Sequence, residues 1–157
     1  MRMQQLSTQA SVAVTSFGRL CGAHAALTEE LSAELDERHG LTINELEVLM
    51  LLWGAPERAM RRVDLSRGVR LSPSGITRML DRMETTGLVG KRACSEDARV
   101  SYAVLTEAGM EKLRAAWPDH CAAIERLLEE RFDGGELATL SELLERVAGP
   151  VDCELGE

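Results

Sequence analysis

At Leu88 the hydrophobic period of the chain changes from about 3.6 residues to about 2, so a helix must hand over to a β-hairpin within a few residues. Upstream, Ser72-Pro73-Ser74 sets an N-cap serine before proline at the first helical position. Serine satisfies a free amide there, and proline brings no amide that would need a partner. The helix predicted over 73–86 puts Ile76, Met79, Leu80 and Met83 on one face, leaves Ser74, Thr77, Arg78, Asp81 and Arg82 on the other, and is closed by Gly87. Before it, a short helix over about 61–68 offers Val63 and Leu65 to the core and leads into a turn at 69–71. After it, residues 89–92 and 101–105 alternate as two antiparallel strands around a polar tip at 93–100. A short helix, a tight turn and a second helix displaying Ser, Thr and Arg form a helix-turn-helix, and the hairpin is its wing.

The flanks read as helices. Residues 7–38 carry Phe17, Leu20, His24, Leu27, Leu31 and Leu35 along a narrow apolar seam ended by Gly40. Thr42 and Glu45 then form a T-x-x-E capping box, in which hydroxyl and carboxylate satisfy the free amides of a starting helix. That helix, 43–53, is apolar nearly all round and predicted to be buried; Gly54, Ala55 and Pro56 break it. Thr106 caps a helix over 107–131 with Leu113, Trp117, Cys121, Ile124 and Leu128 in one stripe and a kink expected at Pro118. A last helix, 136–148, is predicted to bury Leu137, Leu140, Leu143, Leu144 and Val147. The fold class is therefore mainly α with a small β-hairpin: an N-terminal dimerisation helix (1–40), a winged helix-turn-helix (41–106), C-terminal dimerisation helices (107–148) and an acidic tail (149–157) expected to be disordered.

Net charge decides which partners this architecture suits. The chain carries −8 overall, yet residues 58–99 carry a local +5, which leaves −13 on the remainder. An acidic body with one basic segment is the layout of a protein that offers a single face to a polyanion. The longest apolar run, residues 48–53, is too short to span a bilayer, and the first ten residues lack the charged-then-apolar pattern of a signal peptide, so no membrane association and a cytoplasmic location are expected. Cys21, Cys94, Cys121 and Cys153 are scattered without CxxC spacing, which predicts reduced thiols and neither a metal site nor a disulfide framework. No Gly-rich phosphate loop, H-E-x-x-H or G-x-S-x-G is present, so no enzyme and no cofactor is expected.

The stretch Ser72-Pro73-Ser74-Gly75-Ile76-Thr77-Arg78-Met79-Leu80-Asp81-Arg82-Met83-Glu84 is followed by Gly87-Leu88-Val89, then Ser95-Glu96-Asp97-Ala98-Arg99, then Leu105-Thr106-Glu107-Ala108-Gly109. In order and spacing these pieces resemble the recognition helix, wing lead-in, D-x-R wing tip and L-T-x-x-G exit of the MarR family, over roughly residues 10–148. The resemblance implies a homodimer held by its first and last helices that binds an inverted repeat in double-stranded DNA and acts as a transcriptional repressor. Ser72, Pro73, Ser74, Thr77, Arg78 and Arg82 are then the recognition-helix candidates. Arg99 is the wing arginine, Asp97 orients it, and Arg92, Arg61 and Arg70 lie where phosphates would pass. Two positions depart from the family: Arg70 replaces the glycine usual in the motif's turn, and Arg61 the usual serine or threonine cap.

The resemblance also implies release by a small-molecule effector or by cysteine oxidation. His24, Trp53 and Trp117 are the candidate effector residues, and Cys21 and Cys121 the candidate redox residues. The helical tyrosines of the family's peroxide sensors are absent, the single tyrosine being Tyr102 in the wing. The rival reading is a dimeric helical adaptor whose basic segment binds an acidic protein.

Overall fold

The computed structural model describes residues 11–93 and 101–149. Helix α1 (Val12–His39) starts at Ser11, whose hydroxyl accepts from the Val14 amide, and ends at Gly40, in the left-handed region at φ 60°. The predicted start at Ser7 lies outside the described residues. Helix α2 (Ile43–Gly54) opens on the expected capping box. A 3-10 turn (Pro56–Arg58) leads to strand β1 (Ala59–Arg61), helix α3 (Arg62–Gly68), helix α4 (Pro73–Thr85) and strands β2 (Val89–Ala93) and β3 (Ser101–Leu105). Helices α5 (Glu107–Glu129) and α6 (Gly134–Ala148) complete the order. Helix α5 runs through Pro118 as one unbroken helix.

The sheet has three strands, not the two of a simple hairpin, in the order β1-β3-β2, with Met60 opposite Ala103 and Lys91 also opposite Ala103 on the other side. Strand β1 escaped the sequence reading because three residues are too few to display a period, and only pairing with a distant strand creates it. The core gathers Leu46, Val48, Leu49 and Leu52 of α2, Leu65 of α3, Ile76, Met79, Leu80 and Met83 of α4, and Ala103 of β3, and it continues into Met110, Leu113 and Ala116 of α5.

Three packing expectations need correction. Val63 is 51% exposed, because Leu65 and Ser66 are the residues that α3 turns inward. The fully buried line of α5 is Met110, Leu113, Ala116, Ala123 and Leu127, while Trp117, Cys121, Ile124 and Leu128 are only partly covered. Alanines on the inner line let α1 and α5 approach closely, and ion pairs Arg126–Glu34 and Arg131–Glu30 (2.8 Å each) run along the joint. Helix α6 buries none of its five predicted residues, and Leu143, Leu144 and Val147 stand exposed. Among the described residues no element covers these three side chains.

The exit from the wing explains the L-T-x-x-G motif. Thr106 Oγ1 donates toward the Gly87 and Leu88 carbonyls and accepts from the Gly109 amide, tying β3, the end of α4 and the start of α5 to one hydroxyl. A Cβ on Gly109 would lie 2.0 Å from the Leu88 carbonyl oxygen, so the backbone approach itself demands glycine.

Candidate nucleic-acid interface

Helix α4 presents its polar face by the logic of its own cap. Ser72 accepts from the Gly75 amide at 3.1 Å, and its hydroxyl also lies 3.2 Å from that of Ser74. Thr77 turns its hydroxyl proton back onto the Pro73 carbonyl at 2.8 Å, which leaves the oxygen's lone pairs and the methyl outward. Ser72, Pro73, Ser74, Thr77 and Arg78 are all exposed. They form one continuous patch at the start of the helix.

The basic residues divide into those already employed and those left over. Arg62 reaches from α3 to both Asp81 and Glu84 of α4, with its Nε buried and lacking a hydrogen-bond partner. Arg92 pairs with Glu57 at 2.9 Å and lies over the Tyr102 ring, and Arg61 donates to the Tyr102 hydroxyl at 3.4 Å. Arg82, read from sequence as part of the exposed face, is exposed there and also donates to Glu45 of α2 at 2.8 Å. Among the described residues Arg78 and Lys91 make no hydrogen bond or ion pair with other side chains, and both are exposed. A free guanidinium or ammonium on a solvated convex surface is what a phosphate or a guanine edge can recruit.

Arg70 occupies the turn of the helix-turn-helix at φ 55°. The turn therefore keeps the left-handed geometry that glycine provides elsewhere, at the steric cost of a Cβ in that region. Arg70 is exposed, and its charge acts on Glu47 of α2. Burial pushes the Glu47 carboxyl up, while Arg70 and His24 pull the other way. Asp97 and Arg99 lie outside the described residues.

Two of the three effector candidates, Trp53 and Trp117, pack against the same core. Trp53 carries Arg58 over its ring at 4.7 Å from the centroid and Arg114 at 5.4 Å. Trp117 lies 6.2 Å from His120, whose pKa burial lowers. His24 is exposed on α1. None of the three lines the open cleft of about 730 Å³ bounded by Asp36, Thr42, Glu45, Arg82, Lys112 and Ala115. Cys21 is exposed and Cys121 partly buried. Sequence reasoning missed Glu45 as the holder of Arg82 and the arginine pair on Trp53, because each joins residues from separate elements.

The description of the MarR family matches residues 41–101, the span from the approach to α2 to the start of β3. The chain is 27% identical over 128 residues to the HTH-type transcriptional regulator MhqR of Bacillus subtilis, covering 82% of this chain and 86% of that one. Its fold superposes with a TM-score of 0.78 and 25% identity on Sco3205, a MarR family transcriptional regulator from Streptomyces coelicolor solved in complex with DNA, over 90% of this chain and 89% of that one.

The winged head is of MarR type.

The protein is a DNA-binding transcriptional regulator of MarR type rather than an enzyme. Similarity extends to the HTH-type transcriptional repressor YetL of Bacillus subtilis, at 28% identity over 69% of this chain and 67% of that one. No helix among the described residues is long and apolar enough to cross a membrane.

Proposed function

We propose that the protein is a homodimeric repressor whose two α4 helices read an inverted repeat in adjacent major grooves while the wings approach the flanking minor grooves. The observation that carries this reading is the patch of Ser74, Thr77 and Arg78, exposed together at the start of a helix whose other face is fully buried. The arginine is free to grip guanine O6 and N7 together, and the hydroxyl groups suit phosphates and bases alike. Arg61, Arg70 and Arg92 flank this surface as phosphate contacts, and Arg99 with Asp97 supplies the minor-groove contact at the wing tip. Dimerisation is supported by Val12, Val14, Phe17 and Leu20 of α1 and Leu143, Leu144 and Val147 of α6, large apolar side chains that one chain leaves in water. Similarity to a named repressor supports repression over activation.

Release by a small molecule belongs to the same reading. Two guanidinium groups on Trp53, with no carboxylate paired to either among the described residues, favour an organic anion as effector.

The deciding experiment selects duplexes from a random-sequence library with the wild-type protein, then titrates the enriched duplex and poly(dI-dC) across a salt series. A DNA reader enriches one inverted repeat and loses affinity steeply with salt; an adaptor for acidic proteins enriches nothing. Arg78→Ala is expected to weaken the enriched duplex by about 1–3 kcal/mol more than poly(dI-dC). Equal loss on both would make Arg78 a phosphate contact.

A further inference from the structure

Arg82 lies one turn along α4 from Arg78 and has the residue type of a DNA contact, but its geometry gives it another role. Its Nη2 donates to Glu45 Oε1 at 2.8 Å. The other oxygen of the same carboxylate, Oε2, accepts from both the Thr42 amide and the Thr42 hydroxyl at 2.9 Å. Glu45 thus has one oxygen for the N-terminus of α2 and one for the DNA-reading helix. Its side chain is only 11% exposed, against 64% for Arg82, so the anchor is fixed in the protein and the arginine reaches in to it. Burial works against the charged form of Glu45, yet the Thr42 amide and the Arg82 guanidinium hold its carboxyl below the usual carboxylate range. Nearby, Arg62 of α3 holds Asp81 and Glu84, the residues on either side of Arg82 along α4. The second half of α4 is therefore held from α2 and from α3 by separate charged groups, while its first half stays open.

We infer that Glu45 and Arg82 are positioning residues for DNA recognition: the pair fixes the angle at which α4 leaves the head, and Arg82 acts through Glu45 and not by touching DNA. The inference rests on α4 being the reading helix. A positioning pair and a direct contact predict opposite signs for one substitution. If Arg82 touches DNA, Glu45→Gln removes a competing anion, frees the guanidinium and tightens binding. If the pair positions the helix, the same change loosens α4 and weakens the selected site. Glutamine still serves at the third position of a capping box, so α2 keeps its cap.

The test measures wild type, Glu45→Gln, Arg82→Gln and the double variant against the duplex enriched by the wild type and against poly(dI-dC), each across a salt series. Positioning predicts that either single change lowers affinity for the enriched duplex about three- to tenfold and poly(dI-dC) affinity far less. The double variant should lose no more than the worse single one, and the salt slope should stay at the wild-type value. Tighter binding by Glu45→Gln, or a fall in salt slope of about one charge per subunit in Arg82→Gln, overturns the inference and makes Arg82 a DNA contact. If Glu45→Gln fails to fold, the salt slope of Arg82→Gln decides alone. A wild-type protein that enriches no duplex removes the reading-helix premise and the inference with it, a result distinct from normal enrichment with either overturning outcome.

Discussion

Leu49, Leu52, Leu65 and Leu80 in the winged head are fully withdrawn from solvent, whereas Phe17 of α1 and Val147 of α6 keep 70% and 77% of their surface exposed. Both regions carry apolar residues at helical spacing, so pattern alone does not separate them. The difference is closure. In the head, α2, α3, α4, α5 and the sheet face one another and each apolar stripe meets another stripe of the same chain. The outer helices have apolar stripes too, but among the described residues nothing covers Val12, Phe17, Leu143 or Val147. The head is thus stabilised within one chain, whereas the outer helices are left for the proposed dimer to cover.

The strongest challenge to that contrast is Leu80→Ala. Deleting a fully buried side chain from the head is expected to cost about 2–5 kcal/mol in chemical denaturation. The loss should not vary with protein concentration; a loss confined to dilute samples would place the head's stability in the dimer as well. Next in size is Phe17→Glu, which puts a charge on the exposed apolar face of α1. Sedimentation should show the dimer dissociation constant raised about a hundredfold, roughly 2.7 kcal/mol, with helical content nearly kept. An unchanged dimer would mean that this face is not where the copies meet.

Two smaller changes test how the head was adjusted internally. Arg70→Gly removes a Cβ from the left-handed turn and is expected to raise stability by about 0.5–1 kcal/mol, the steric relief outweighing the added freedom of the unfolded chain. It should also reduce DNA affinity if Arg70 meets phosphate, so stability and binding would move in opposite directions. The smallest effect is expected from Glu47→Gln. Burial raises the Glu47 pKa in the folded state, so the stability linked to this group is present below its unfolded pKa and is lost as pH rises through the folded value. The glutamine variant should be more stable than wild type near neutral pH by a few tenths of a kcal/mol, and the gain should vanish in acid, below the ordinary glutamate pKa. Melting curves at both pH values would reveal a gain of the opposite pH dependence, which would mean that Arg70 and His24 outweigh burial.

What the sequence by itself determined is everything written in interactions between near neighbours. Ser72 capping at Gly75, the Thr42–Glu45 capping box, the left-handed Gly40 and Gly87, and the change of period at Leu88 all involve residues within about one turn of each other, so their pattern survives in a linear reading. The exposed face of α4 was legible for the same reason, since a helix with one apolar stripe has only one way to present the rest. What only the tertiary structure decided are relations between distant segments. Strand β1 exists because Met60 meets Ala103, Arg82 faces Glu45 across 37 positions, and Arg114 of α5 reaches the ring of Trp53 in α2. The fates of Val63 and the α6 leucines were decided there too. A stripe's period says that it seeks cover; whether cover comes from the same chain depends on where the other elements pack, and no residue in the stripe carries that information.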